Sequence, residues 1–134
     1  MKSTLERWNR KGGGKGIAVS EYGAGANVWH HWQTGKKTPK ADGVFHPEEW
    51  QATVHEQTYD AIKHCGFAWG SFVWNMFDFA SASRERVICR GWNDKGLVSY
   101  DRKIRKDAFY FYRSEWSEEP VIHITSRRDV ARRD

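Results

Sequence analysis

Cysteine and long apolar runs are scarce in this sequence of 134 residues. Its two cysteines, Cys65 and Cys89, are too few for a disulfide framework and lack metal-ligand spacing, so we expect inert or buried thiols. No apolar run approaches the ~20 residues of a membrane span, and we expect no membrane partner. The first four residues lead into polar sequence without a signal-peptide core. We expect the natural protein to begin further upstream, so a secretion signal is not excluded.

The charge balance does not indicate a nucleic-acid-binding protein. The net charge is +5 and the pI about 9.3, but much of the excess comes from four arginines among residues 127–133. A nucleic-acid surface more often clusters lysine and arginine on one element with interleaved aromatic residues. We therefore expect no nucleic-acid partner.

Aromatic residues are abundant, at 15% of the chain with eight tryptophans. Tryptophan combines a large apolar surface with a polar N–H group, so this number indicates a large core, a sugar-stacking cleft, or both. The length suffices for one small domain.

Helical and extended patterns alternate along the chain. We predict helices at residues 3–10, 46–65 and 107–115, and strands at 17–20, 67–74 and 121–124. Alternation of this kind predicts an α/β fold with a parallel sheet. The run 67–74 is apolar at nearly every position, which predicts a strand covered by helices on both faces. Two such strands cannot bury their own faces, so the chain is expected to be incomplete alone.

A carboxylate follows the first predicted strand. Glu21 comes directly after residues 17–20, and Gly23 and Gly25 permit close approach by a ligand or another backbone. In parallel α/β folds, chemistry lies where strands end. Glu21 is therefore a candidate catalytic residue. The alternative is a glutamate that ends a strand and faces water.

Four motifs carry a resemblance to glycoside hydrolase family 2, closest to its bacterial β-galactosidases. They are SEYGAG at residues 20–25, WNMFDF at 74–79, NDKGLV at 93–98 and DRKIRKDAFYFY at 101–112. The resemblance implies the C-terminal quarter of a (β/α)8 TIM barrel over residues 1–119, with barrel strands seven and eight and helices seven and eight. Residues 120–134 would begin a following β-sandwich domain or form a tail.

The resemblance also implies a retaining glycosidase, a mechanism that uses two carboxyl groups about 5–5.5 Å apart. Glu21 would be the nucleophile. The family's acid/base lies in an Asn-Glu pair at the end of barrel strand four, and no Asn-Glu dipeptide occurs here. We therefore expect the isolated chain to be inactive. We expect no cofactor and assign no metal ligands, since the adjacent His30 and His31 lack a third ligand.

Further residues are candidates for sugar binding. By resemblance Trp74 forms part of the sugar pocket; its alternative is a core tryptophan. Asp78 would orient neighbouring groups, or else cap a loop. His30 or its neighbour His31, in the loop after Glu21, would contact sugar hydroxyls.

The substrate expected from this resemblance is a terminal β-galactoside. Ala24, however, stands where the best-known β-galactosidases carry histidine. Asn93 and Lys95 resemble the Asn-x-Lys pair with which family β-glucuronidases bind the sugar carboxylate, which is suitable chemistry for that group. A β-glucuronide is therefore the alternative.

A non-enzymatic alternative is a truncated chain that acts only by association with the remainder of the barrel. The exposed core faces of its strands would then be an interface and a hazard for self-association.

Overall fold

The computed structural model describes residues 1–33, 37–40, 43–82 and 91–128, and these form a small α/β structure. Its elements are α1 (Lys2–Lys11), β1 (Ile17–Tyr22), α2 (Glu48–Lys63), β2 (Ala68–Val73), β3 (Phe79–Ala80), β4 (Trp92–Asn93) and α3 (Asp107–Trp116). The three predicted helices and the first two predicted strands are confirmed, with ends moved by a few residues. Cys89 and residues 129–134 lie outside the described part of the chain.

The strands β1 and β2 pair in parallel, as predicted. Ile17 lies opposite Ala68 and Tyr22 opposite Val73, with register irregularities between. Because both strands run the same way, their carboxyl ends meet at one edge of the sheet. The strands β3 and β4 form a separate antiparallel pair that the sequence did not predict. Within the described residues each sheet has two strands, and neither closes on itself.

The core lies between the β1–β2 sheet and the helices. It is built from apolar side chains at most 8% exposed: Leu5, Val19, Tyr22, Ala52, Ile62, Cys65, Leu97, Ala108 and Tyr112. Burial of such side chains is the main favourable free energy of folding. The expectation of a buried thiol is confirmed for Cys65.

The prediction that residues 67–74 are covered on both faces is wrong. Trp69 is 74% exposed and Phe72 is 62% exposed. No described element covers these two side chains. The apolar composition of β2 therefore includes surface that the described residues do not bury.

The predicted strand at residues 121–124 is also not observed. Side-chain contacts hold the C-terminal segment instead: His123 Nε2 lies 2.8 Å from Asp107 Oδ1, and Ser126 N donates to Asp107 Oδ2 at 2.7 Å. Arg128 forms an ion pair with the fully buried Glu48. Glu48 also accepts a hydrogen bond from Asp107 N at 2.6 Å. The segment is thus anchored to the first turns of α2 and α3 rather than to a sheet.

A buried lysine joins the loops that follow the strands. Lys106 is 0% exposed, and its Nζ donates to Ala26 O (2.8 Å), Asp78 Oδ1 (2.8 Å) and Asp94 O (3.0 Å). These acceptors belong to the loops after β1, after β2 and after β4. Burial lowers the pKa of Lys106 and raises that of Asp78, while their ion pair opposes both shifts. One ammonium group thus holds three loops together.

A buried chain of hydrogen bonds joins β1 to the helices. His55 Nδ1 lies 2.9 Å from the Tyr112 hydroxyl, which donates to the Tyr22 hydroxyl at 3.0 Å. His55 Nε2 has no partner among the described atoms. Burial, with a smaller contribution from Lys106, lowers the pKa of His55 to about 4, so the imidazole is neutral near pH 7.

We expect His55 to make folding stability depend on pH between about 6.5 and 4. Its pKa is lower in the folded chain than in the unfolded chain, so the unfolded chain binds more protons in that range. The free energy of unfolding therefore decreases as the pH is lowered from about 6.5 to about 4. The loss is roughly 3 kcal/mol across the range. Urea unfolding at several pH values should show a shallower loss for His55→Asn. The exposed-site variant His64→Asn should keep the wild-type slope; equal slopes in all three proteins would contradict the assignment.

We expect Lys106→Met to lower the free energy of unfolding by about 3–5 kcal/mol, because it leaves Asp78 buried without its counter-ion. Adding Asp78→Asn should recover part of the loss, since the uncompensated charge is then removed. Denaturant titration followed by circular dichroism measures both effects. Lys103→Met, at an exposed lysine in the same segment, is the control and should be near neutral. If Lys106→Met were as stable as the wild-type chain, this role of Lys106 would be contradicted.

Candidate active site

A cavity of about 590 Å³ opens where β1 and β2 end. Four of the predicted site residues line it: Glu21, Trp74, Asn93 and Lys95. They come from three separate stretches of the chain. Tyr22, Gly23 and Ser81 are the other described residues that line it. The cavity therefore brings a carboxylate, an indole, an amide and an ammonium group together.

Glu21 is the carboxylate of this cavity, and its side chain is exposed. Its neighbour Tyr22 is 8% exposed and hydrogen-bonded to Tyr112, while Tyr22 O accepts a hydrogen bond from Trp74 N at 2.8 Å. Both contacts fix the end of β1. The backbone that carries Glu21 is therefore held in place, although the carboxylate itself is open to a ligand.

The glycines after Glu21 are places of close approach. A Cβ on Gly23 would collide with Trp74 O and lie 3.2 Å from His55 Cε1. A Cβ on Gly25 would lie 2.8 Å from His46 Nδ1. Only glycine lets the β1 loop approach its neighbours this closely.

Trp74 directly follows β2 and is 40% exposed among the described residues, which favours its interpretation as a cavity residue. Its ring packs edge-on against Phe79, with centroids 6.0 Å apart. This contact limits the freedom of the indole and leaves part of it facing the cavity. An indole held in this way can pack against an apolar sugar face.

Asn93 is the last residue of β4, and Lys95 follows it in the short turn that comes next. Asn93 is 6% exposed, and its Oδ1 accepts a hydrogen bond from Lys95 N at 3.1 Å. Gln51, on α2, donates from Nε2 to Ala24 O (2.9 Å) and Gly96 O (3.2 Å). Gln51 therefore ties this turn to the loop after Glu21. Together the turn and the loop present an amide and an ammonium group to the cavity.

Two predicted residues do not line this cavity. Asp78 is buried against Lys106 and accepts a hydrogen bond from Gly96 N at 2.8 Å, which fits its alternative interpretation as a loop-capping residue. His30 Nδ1 accepts a hydrogen bond from His46 N at 3.2 Å. Burial, with a contribution from His46, lowers the pKa of His30. The adjacent His31 Nδ1 lies 2.8 Å from Glu49 Oε1.

Sequence reasoning missed Gln51, Ser81 and the organising role of Lys106. Lys106 carried a signal, because it is the N-cap residue of α3, where the positive end of the helix dipole disfavours a cation. Gln51 lies within an ordinary helical pattern and carried no such signal.

Two searches of the described residues were negative. No group of three or more histidine, cysteine, aspartate or glutamate side chains is arranged to hold a metal ion. None of the described helices combines the length and apolar character needed to cross a membrane.

Comparison with known proteins gives a consistent family. No protein-family model matches the chain. A β-glucuronidase from Bacteroides fragilis is 48% identical over 129 residues, which is 96% of this chain and 18% of the relative. The crystal structure of a putative β-galactosidase from Bacteroides fragilis has a TM-score of 0.89 and 35% identity, covering 99% of this chain and 20% of that one.

A third protein, β-glucuronidase 2 from Bacteroides uniformis, was solved covalently bound to cyclophellitol-6-carboxylate aziridine. It has a TM-score of 0.79 and 31% identity over 95% of this chain and 14% of that one. The chain thus spans about a fifth or less of the length of these relatives. Similarity in both sequence and structure, along nearly the whole chain, shows that it belongs to glycoside hydrolase family 2.

Proposed function

We propose that the Glu21 cavity is part of a retaining glycosidase active site in which Glu21 is the nucleophile. The observation that carries this proposal is the lining of one cavity by Glu21, Trp74 and Lys95. An exposed carboxylate on a fixed strand end can reach the anomeric carbon of a bound sugar. A neighbouring indole and ammonium group can orient that sugar.

In this mechanism Glu21 attacks the anomeric carbon, the glycosidic bond breaks, and the leaving oxygen takes a proton from a general acid. Water then hydrolyses the glycosyl ester and restores the carboxylate. We propose that the general acid belongs to a part of the protein outside these 134 residues, because the family's Asn-Glu pair is absent here. The chain would then be the last quarter of a (β/α)8 barrel, which its coverage of longer relatives supports.

We further propose that the sugar carries a carboxylate, as in a β-glucuronide. Lys95 supplies a charged donor to the cavity and Asn93 an amide, a pairing suited to a carboxylate. The 48% identity to a β-glucuronidase supports this choice. A β-galactoside is the second candidate, favoured by the TM-score of 0.89 with a putative β-galactosidase.

The nucleophile is tested in a chimera in which this chain replaces the matching stretch of the Bacteroides fragilis β-glucuronidase. We expect hydrolysis of 4-nitrophenyl β-glucuronide by the chimera, and a loss of at least about 10³-fold in Glu21→Gln, because no covalent intermediate can form. Peptide mass spectrometry after treatment with cyclophellitol-6-carboxylate aziridine should locate the adduct on Glu21. Glu118→Gln, at an exposed glutamate, is the control. An adduct on another residue would refute the assignment. We expect the isolated chain to show no turnover.

Substrate choice is tested by Lys95→Ala in the same chimera. Loss of one charge-assisted hydrogen bond should reduce kcat/KM for the glucuronide by roughly 10–100-fold. Hydrolysis of 4-nitrophenyl β-galactoside should change little, because that sugar has no carboxylate. Lys103→Ala, at an exposed lysine outside the cavity, is the matched control. An equal loss on both substrates would count against recognition of a carboxylate by Lys95.

A further inference from the structure

A second cavity, of about 270 Å³, lies beside the first and contains none of its lining residues. Its walls combine aromatic rings with carboxylates and a hydroxyl group: Trp29, Trp92, Tyr100, Asp78, Asp101 and Ser99. Its volume lies just below the range of typical ligand pockets, about 300–1,000 Å³. A space of this size suits a single small ring.

The two cavities use neighbouring residues of one strand. Asn93 lines the Glu21 cavity, whereas Trp92 lines the second. Consecutive strand residues point to opposite faces. A ligand against Trp92 would therefore lie on the other side of β4 from Glu21, and its binding would not require Glu21.

The aromatic rings of the second cavity are ordered but exposed. Trp92 stacks on Tyr100, with ring centroids 4.7 Å apart and planes 21° apart, yet the two residues are 40% and 44% exposed. Trp29 is 80% exposed, and its backbone N–H donates to Asn27 Oδ1 at 2.9 Å. Large aromatic side chains grouped at the surface indicate a contact surface for another molecule.

The polar groups of this cavity favour neutral hydroxyl donors. Asp78 forms an ion pair with the buried Lys106, and Asp94 Oδ2 lies 2.6 Å from His46 Nδ1, so both carboxylates are held in place. Asp101 accepts hydrogen bonds from the Ser99 hydroxyl (2.6 Å) and Lys103 N (3.1 Å), and these bonds lower its pKa. No lysine or arginine of the described chain lines the cavity. The negative charges of Asp94 and Asp101 would repel a sugar carboxylate, whereas the hydroxyls of a neutral sugar can donate to these side chains.

We infer that the second cavity binds one neutral sugar ring, whose apolar face packs on the Trp92–Tyr100 pair and whose hydroxyls donate to Asp101 and its neighbours. This site is separate from the Glu21 cavity and does not depend on the function proposed for it. The carboxylates of the second cavity disfavour sugar acids, whereas Lys95 would favour them in the Glu21 cavity.

The test is titration of the 134-residue chain with methyl β-glucoside and methyl β-galactoside, followed by the indole N–H signals in NMR spectra. We expect saturable shifts of the Trp92 and Trp29 signals with at least one of these neutral sugars. Trp92→Ala should weaken the remaining Trp29 response at least about tenfold, whereas Trp69→Ala, at an exposed tryptophan outside both cavities, should leave binding unchanged. Glu21→Gln should also bind normally, which separates this inference from the proposed nucleophile.

Trp92→Phe keeps an aromatic ring and replaces Trp92→Ala in the test if the alanine variant does not fold. It should bind the sugar severalfold more weakly than the wild-type chain, because less ring surface is available. Saturation transfer from sugar C–H protons to the Trp92 ring in the wild-type chain supplies a measurement that needs no variant. Absence of saturable shifts with both sugars would overturn the inference. An unchanged Trp29 response in Trp92→Ala would also overturn it. Glucuronic acid and tetramethylammonium serve as an anionic and a cationic probe, and tighter binding of either one than of the neutral sugars at Trp92 would overturn it as well.

Discussion

The buried ammonium group of Lys106 is the contact on which the arrangement of the loops depends. It reaches Ala26, Asp78 and Asp94, one acceptor in each of three loops, and is fully shielded from water. A buried cation needs partners on every donor, so the loops cannot move apart without leaving a charge unpaired. The apolar core holds the helices against the sheet, whereas Lys106, together with Gln51, fixes the loops around the two cavities.

Much of the scaffold could be predicted from the sequence, because it depends on local periodicity. Apolar spacing identified α2 and α3, and short runs ending at Glu21 and Trp74 identified the two parallel strands. The family resemblance grouped Glu21, Trp74, Asn93 and Lys95 as residues of one site, and these four residues line one cavity.

The parts that could not be predicted depend on partners remote in sequence. Gln51 reaches Ala24 and Gly96 from the middle of a helix whose pattern looks ordinary. Residues 121–124 have the composition of a strand, but no described strand is available to pair with them, and buried carboxylates such as Asp107 hold the neighbouring residues instead. The exposed Trp69 illustrates the converse: composition predicted burial, but burial requires a neighbour, and none of the described residues covers this side chain.

The missing side chain at Gly23 has an evolutionary consequence. Any larger residue there would drive the backbone of the Glu21 loop away from Trp74, so we expect glycine to persist at this position among relatives that keep the loop. Side chains that line the cavity without such a backbone contact, such as Lys95, can be exchanged while the loop keeps its path. The lining of the cavity can therefore diverge between lineages while the loop backbone is inherited.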